Sequence, residues 1–292
     1  KSSFWQSVYQ GAYRRGLEEN AYVDLLGENL SENYSREDLM RIAISSGVDG
    51  IFVESDESGE LTELIDEAVD RDIPVVTLYG DNTHSKRCSF VGVGSYNLGR
   101  EYGRQVLKIA RESTWESAWE NRVIRVAIVM NAYAMDTGQN IISSGIQDAI
   151  EQEKTEDIDF SVSYITVDDT NTFSVEESIR DIFMEERLPD IIICLNELNT
   201  TCVYQAVVDY NQVGQISILG YYDSDTIINA IDRNVVNATI SIDTEQMGGF
   251  CVEALTEYYL LGNTSQYFTA DVTLIDKSNV AQYLEGGDED EN

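Results

Sequence analysis

This chain is poor in the residues that most chemistry depends on. It has one histidine, His84, two prolines, Pro74 and Pro189, four cysteines, and 19 basic residues against 53 acidic ones in a length of 292. Catalysis by a nucleophile and a base would need a histidine or lysine paired with Ser, Cys or a carboxylate. His84 lies instead in the polar loop "DNTHSKR", where a solvated histidine is the simpler reading. Neither a G-x-S-x-G elbow nor a phosphate-binding P-loop occurs, so no enzyme and no cofactor are expected. Cys88, Cys194, Cys202 and Cys251 lack the close spacing of a zinc or redox motif and read as small core residues. The adjacent acids Asp168 and Asp169 end a strand and read as a solvated loop rather than a metal site.

The shortage of positive charge, a formal net charge of −34, would repel phosphate backbones and anionic headgroups, so nucleic acid is not an expected partner. No apolar run is long enough to cross a bilayer and no signal peptide is visible, which leads to the expectation of a soluble chain trimmed from a longer precursor. The closing "EGGDEDEN" (Glu285 to Asn292) has nothing to bury and is expected to be a disordered natural terminus. No Pro- or Ser-rich linker divides the chain, so two lobes would have to be joined by short strands.

What is present is an alternation of short apolar strands with amphipathic helices. "GVDGIFVES", "DIPVVTLYGDN", "RVIRVAIVMNA", "DIIICLNE" and "QISILGYYDS" each run from unbroken Val/Ile/Leu into a polar or Gly-containing end. Such runs are strands buried on both faces of a parallel sheet with helices above and below. The fold class is α/β, and the length suits two doubly wound lobes rather than one. The first series comprises the helix around Trp5, Val8 and Ala12, strand "AYVDLLG", helix "REDLMRIAISSG", strand "GIFVES", helix "ELTELIDEAVDRD", strand "IPVVTLY" and strand "CSFVGVG". It begins on a helix, so the first strand of lobe one is missing. After the helix "NLGREYGRQVLKIARE" comes the connection "STWESAWENR", then a second βα series runs from "VIRVAIVM" to the helix "EQMGGFCVEALTEYYLLGN" and the extended "ADVTLIDKSN". Ligands of such sheets gather at the carboxyl ends of the strands.

In their order, several segments resemble the type I periplasmic sugar-binding proteins, which share a fold with lac-repressor-type effector domains. "SSFWQSVYQGA" resembles that family's Asn-Pro-Phe-aromatic opening, "SGVDGIFVES" and "DIPVVTLYGDN" its second and third strands, and "FVGVGSYNLGREYG" its first crossover. "ILGYYDSDTIINAI", "NATISIDTEQMGGFCVEAL" and "DVTLIDKSNVAQYL" resemble its last strands, last helix and closing hinge. The resemblance runs from Phe4 to Leu284. It implies two doubly wound parallel-sheet lobes joined by three crossovers near Gly94, Ile242 and Asp271. Lobe one would be residues 1–93 plus 243–270, and lobe two residues 94–242 plus 271–285, with 286–292 as tail.

The resemblance further implies an extracytoplasmic protein, free in the periplasm or lipid-anchored as a lipoprotein. It would act as a monomer that holds a sugar or sugar derivative in a cleft, closes about its hinges and delivers the ligand to an ABC permease. A nucleoside, or something less polar, is a further ligand class. The alternative is the ligand-sensing domain of a signalling receptor or transcriptional regulator; a repressor would carry a helix-turn-helix, which this chain lacks. Carried over by position, Phe4 and Trp5 match the stacking pair, with Phe4 expected in a loop and Trp5 either stacking or core. Asp81 and Asn82 fall where the family places hydroxyl acceptors, although Asp-Asn is also an ordinary turn pair. Asn196 matches a cleft asparagine. Tyr222 stands in register with the family's hydroxyl-gripping acid, and Asp223 is either a further contact or the cap of the next helix. The family's arginine clamp falls on Ile142, its first-crossover Asp-Asn on Gly94 and Ser95, and its third-hinge glutamine on Ile242. Those losses put an ordinary pentose or hexose in doubt and bring in Ser95, Tyr79, Tyr133, Asn140 and Phe173 as further candidate contacts.

Overall fold

The computed structural model describes residues 3–27, 34–112, 123–132, 137–155 and 158–284. Tyr133, the connection 113–122 and the tail 285–292 therefore lie outside the described residues. The chain divides into two compact units, one made of residues 1–94, 135–138 and 243–271, the other of 95–134, 139–242 and 272–292.

In the first unit the elements are α1 (Ser3–Glu18), α2 (Arg36–Ser46), β1 (Ile51–Glu54), α3 (Gly59–Asp70), β2 (Val75–Leu78), β3 (Ser89–Gly92), α9 (Thr244–Leu261) and β9 (Tyr267–Thr269). The strands form an all-parallel sheet in the order β1-β2-β3-β9. Local chemistry sets the helix ends. Ser35 caps α2 through the Asp38 amide at 3.1 Å, Glu37 and Asp38 follow in its first turn, and Gly47 ends it at φ 64°. The apolar face of α3 (Leu61, Leu64, Ile65, Ala68) packs with Met40, Ile44, Val53 and Val75 into one core. α1 lies against α9 at a distance only glycine permits: a Cβ on Gly248 would stand 1.9 Å from the carbonyl oxygen of Val8. Thr244 Oγ1 bonds Ser7 Oγ at 2.7 Å in the same seam.

The second unit contains α4 (Ser95–Glu112), β4 (Val123–Asn131), α5 (Thr137–Glu153), β5 (Asp159–Val167), α6 (Thr172–Ile182), β6 (Ile191–Cys194), α7 (Glu197–Asp209), β7 (Ser217–Tyr221), α8 (Asp225–Asp232), β8 (Ala238–Ile242), β10 (Val272–Asp276) and α10 (Ala281–Leu284). Its sheet runs β10-β8-β7-β6-β4-β5, parallel except for the antiparallel edge strand β10. Ile191, Ile192, Ile193, Ile218 and Ile128 are at most 1% exposed, as a strand covered on both faces requires. Each such side chain contributes about 1.5–3 kcal/mol of burial. Tyr102 of α4 is equally buried and donates its hydroxyl to the Gly220 carbonyl at 2.8 Å.

Three local expectations are corrected here. "AYVDLLG" is not a strand: residues 21–27 run mostly exposed and have no ladder partner, and β1, the edge of the sheet, is paired only with β2. Phe4 is not in a loop, since α1 starts at Ser3 and buries its ring. Asp223 is not a cap, because α8 is headed by Ser224, which makes no side-chain cap bond. The short β9 and α10 were not anticipated. Among the cysteines, Cys194 and Cys251 are buried, Cys88 and Cys202 partly so, and all four are free. Burial pushes the Cys88 and Cys202 thiols up to about 11, which leaves them unreactive at neutral pH.

Candidate functional site

In each unit the parallel register aligns the residues at the carboxyl ends of the strands. In the second unit, Asn131 stands opposite Val167 of β5. The β4–β6 register, carried two residues past the Val129–Cys194 pair, places Asn196 beside Asn131, and the Asn196 amide donates to Asn131 Oδ1 at 3.2 Å. The same registers carry the row on to Tyr222 beyond β7 and Ser241 of β8. The apolar strands thus end together in Asn131, Asn196, Tyr222 and Ser241.

Asn196 also holds the start of α7, its Oδ1 accepting from the Asn199 amide at 2.7 Å. Asn199 returns its side-chain amide to Asn131 Oδ1 at 2.9 Å. Three asparagines from two strand ends and a helix turn are joined, yet Asn199, 1% exposed, keeps an Oδ1 with no hydrogen-bond partner. Ser224 Oγ is likewise buried and unpartnered. An unsatisfied buried polar atom costs about 1–3 kcal/mol and calls for an explanation.

Asp223 Oδ2 accepts from Ser241 Oγ at 2.7 Å. Burial raises its pKa above the ordinary carboxylate value. Ser241 and its own backbone amide oppose that rise, and the nearby charges of Glu197 and Asp225 add to it. Glu197 and Asp225 sit in the first turns of α7 and α8, where negative charge complements the helix dipole. Tyr222 is held at φ 74° and 6% exposure, its amide on the Ile240 carbonyl and its own carbonyl accepting from Thr239 Oγ1.

The strand ends of the first unit have a parallel device. Tyr79, directly after β2, has φ 66°, and the Gly80 amide bonds the Leu78 carbonyl at 2.8 Å across it, a three-residue turn. Its ring meets Phe4 at 5.3 Å and Trp5 at 5.8 Å, and those two meet at 4.9 Å, all edge-on. Phe4 is 5% exposed, and Trp5 and Tyr79 are half-buried. Left-handed non-glycine residues cluster at working sites because packing must hold them there.

The structure gives the remaining expected residues different settings. Asn82 is fully buried, donating to the Asp56 carbonyl at 2.8 Å and to Thr62 Oγ1 at 2.9 Å, so it is a structural pin and presents nothing to a ligand. Asp81 accepts from Thr77 Oγ1, from the Asn82 amide and from both Nε and Nη2 of Arg87. Its carboxylate is thus bound to a guanidinium only 9% exposed. Ser95 opens α4 half-buried, Asn140 is exposed on α5, and Phe173 is 65% exposed at the start of α6. Sequence reading missed Asn131, Asn199 and Ser241. The one available signal was a polar residue ending an apolar strand, as in "VAIVMN". A solvent-open hollow of about 510 Å³ flanks α1 between Tyr9, Gln10, Tyr13 and Arg14, and none of the strand-end residues lines it. Among the described residues no group of His, Cys, Asp or Glu could hold a metal, and no helix is long and apolar enough to cross a membrane.

The sequence pattern of the periplasmic binding protein domain matches residues 1–263. The chain belongs to the periplasmic binding protein family. That is a family of binding proteins rather than enzymes, and the two α/β units have its type I fold. Among solved structures, the chain is similar to GanP, a glucose-galactose binding protein from Geobacillus stearothermophilus, at 20% identity and TM-score 0.81, covering 96% of this chain and 94% of that one. It is similar to XylFII as solved in a complex with LytSN, at 25% identity and TM-score 0.76, covering 95% and 94%. A sugar-binding protein of a sugar ABC transporter from Bacillus halodurans matches at 17% identity and TM-score 0.76, covering 97% and 96%. No curated protein sequence matches the chain.

Proposed function

We propose that the chain is an extracytoplasmic solute-binding protein that captures a sugar or sugar derivative at the carboxyl ends of its strands, the two units closing on it, and delivers it to an ABC permease. The observation that carries this reading is the Asn131–Asn196–Asn199 cluster with its unpartnered buried Oδ1. Carboxamides offer both donors and acceptors, the complement of a ring of hydroxyls, and a hydroxyl donating to Asn199 would relieve the cost of the empty acceptor. The half-buried Trp5 and Tyr79 rings, backed by the buried Phe4, supply the apolar surface that sugar C–H faces need. The left-handed Tyr79 and Tyr222 each follow a strand end of their own unit, where a ligand of a parallel sheet gathers. Trp5, Tyr79, Asn196, Tyr222 and Asp223 are the contacts we assign, with Asn131 and Asn199 added; Asn82 is withdrawn. Ser95, Asn140, Phe173 and Tyr133 stay secondary candidates by sequence position alone.

No chemistry is assigned to the site. His84, the single histidine, has a side chain 76% exposed beside Glu57. GanP, named for binding glucose and galactose, and the transporter protein of Bacillus halodurans support the sugar class and the permease. A second reading, a ligand-sensing subunit that works through a protein partner, draws support from XylFII, which was solved with LytSN. Thermal-shift screening of the folded chain against pentoses, hexoses, polyols and nucleosides tests the core reading, because a ligand of the native state raises its stability by mass action. A sugar that raises the midpoint should also compact the protein in solution scattering. A cooperative melt that no compound of the panel moves would overturn the proposal.

A further inference from the structure

The hollow beside α1 bears on the size of the solute. α1 carries Trp5, Tyr9, Tyr13 and Leu17 at intervals of four residues, so they form a single row along one flank of the helix, each about 6 Å further down its axis than the last. The first member of that row belongs to the strand-end group of its unit, since the Trp5 ring meets Tyr79, directly after β2, at 5.8 Å. The row then leads away from it. The Tyr9 and Tyr13 rings lie 6.1 Å apart, tilted at 44°, and with Gln10 and Arg14 they line the hollow of about 510 Å³.

Core packing does not account for these rings. α1 buries Phe4, Val8, Gly11, Ala12 and Gly16 and presents the row at the border of that face, with Trp5 and Tyr9 half-buried, Tyr13 41% exposed and Leu17 61%. The Tyr9 hydroxyl reaches the Val23 carbonyl at 3.5 Å. Contiguous exposed apolar surface rimmed by polar groups marks a binding site, where scattered apolar residues do not. The polar groups here are the exposed Gln10 carboxamide and the Arg14 guanidinium, whose charge is balanced by an ion pair with Glu245 in the first turn of α9. The hollow has the volume of a small-ligand site, about 300–1,000 Å³, and its lining carries no net charge.

We propose that the solute is a neutral oligosaccharide, with one terminal ring held at the strand ends and the following rings lying along α1 over Tyr9 and Tyr13. This rests on the solute-binding reading and adds a subsite to it. Every unit of such a chain has an apolar C–H face and a rim of hydroxyls. The tyrosine rings receive the first, and Gln10 and Arg14 the second. The interval of the row is about that of successive pyranose rings in an extended chain, so each turn of the helix offers one ring to one sugar. A uronate oligomer would find the only cation of the lining already neutralised, on a chain of net charge −34.

Calorimetric titration of the full chain with matched series tests this: D-glucose, cellobiose and cellotriose; D-xylose, xylobiose and xylotriose; D-galactose and galactobiose. In at least one series the disaccharide should bind at least about tenfold more tightly than its monosaccharide, about 1.4 kcal/mol. In Tyr13→Ala, a change at an exposed position, that ratio should fall toward one, and Tyr13→Phe, which keeps the ring, should restore it. Disaccharides that bind no more tightly than their monosaccharides in every series, or a ratio that Tyr13→Ala leaves in place, overturn the subsite and leave a sugar-binding protein intact. Failure of every compound to bind a folded chain overturns both.

Discussion

Asp81 offers the sharpest contest between sequence and structure, because position assigns it to the ligand and geometry assigns it to Arg87. Its carboxylate takes Nε and Nη2 of one guanidinium, the latter at 2.6 Å, with Thr77 Oγ1 at 3.0 Å and the Asn82 amide at 2.7 Å. Arg87 in turn lies under Phe90 and Tyr267, 6.0 and 5.4 Å from their ring centres, and cannot swing into water without losing both. The two side chains are 9% and 17% exposed. Asp81→Asn leaves the guanidinium in place and uncompensated. Breaking a buried pair from one side costs about 3–5 kcal/mol, and partial exposure puts this one near the lower end. At about 2–4 °C per kcal/mol, the first unit should melt about 10 °C earlier. Calorimetry is the right assay because it separates transitions if the two units unfold independently. Adding Arg87→Met should recover much of the loss, giving a coupling of about 2 kcal/mol or more in a double-mutant cycle. An unchanged melt combined with lost sugar binding would refute this reasoning and return Asp81 to the ligand.

Three further expectations can be checked by stability alone. Asp223, raised in the native state, destabilises the fold once ionised, so Asp223→Asn should raise the midpoint at pH 7. That gain should vanish as pH falls below the ordinary aspartate value, in melts across pH 3 to 7. Asp276 behaves oppositely. Burial raises it, but the Ser278 hydroxyl, Lys108 and the Ser278 amide together bring it down to about 2. Its stabilisation, about 1 kcal/mol after allowing for the solvent around Lys108, should be present above pH 4 and lost as pH falls through 2. Acid titration of Lys108→Met against the native chain measures it. Gly248→Ala drives a Cβ into the Val8 carbonyl and should cost at least about 3 kcal/mol in urea, by prying α1 from α9.

The strands were legible because burial on both faces leaves an unmistakable run, as in "IIIC", and the polar residue closing each run marked the carboxyl end of the strand. Residues 21–27 misled because their alternation suits a strand, but they run mostly exposed and do not pair with the open edge of β1. Phe4 misled because helix onset depends on packing against Tyr79, seventy-five positions away in the chain. The site was legible in part. Asn196 and Tyr222 follow apolar runs and fall on the strand-end row. Asn82 looked the same, and only its contacts with Asp56 and Thr62, 26 and 20 residues distant, reveal that its amide is already committed. Asn131 and Asn199 meet across 68 residues, and no local pattern announces a bond of that span.

The claim that strand-end carboxamides receive a sugar-like solute is tested most directly by calorimetric titration of the native chain beside Asn199→Leu, a change of similar shape that removes the empty acceptor together with the amide hydrogen bond to Asn131. The account predicts saturable one-site binding of at least one sugar, weakened by about tenfold or more in the variant, whose melt stays cooperative. Saturable binding of the same strength in both proteins, or none in either while both melt cooperatively, would contradict it.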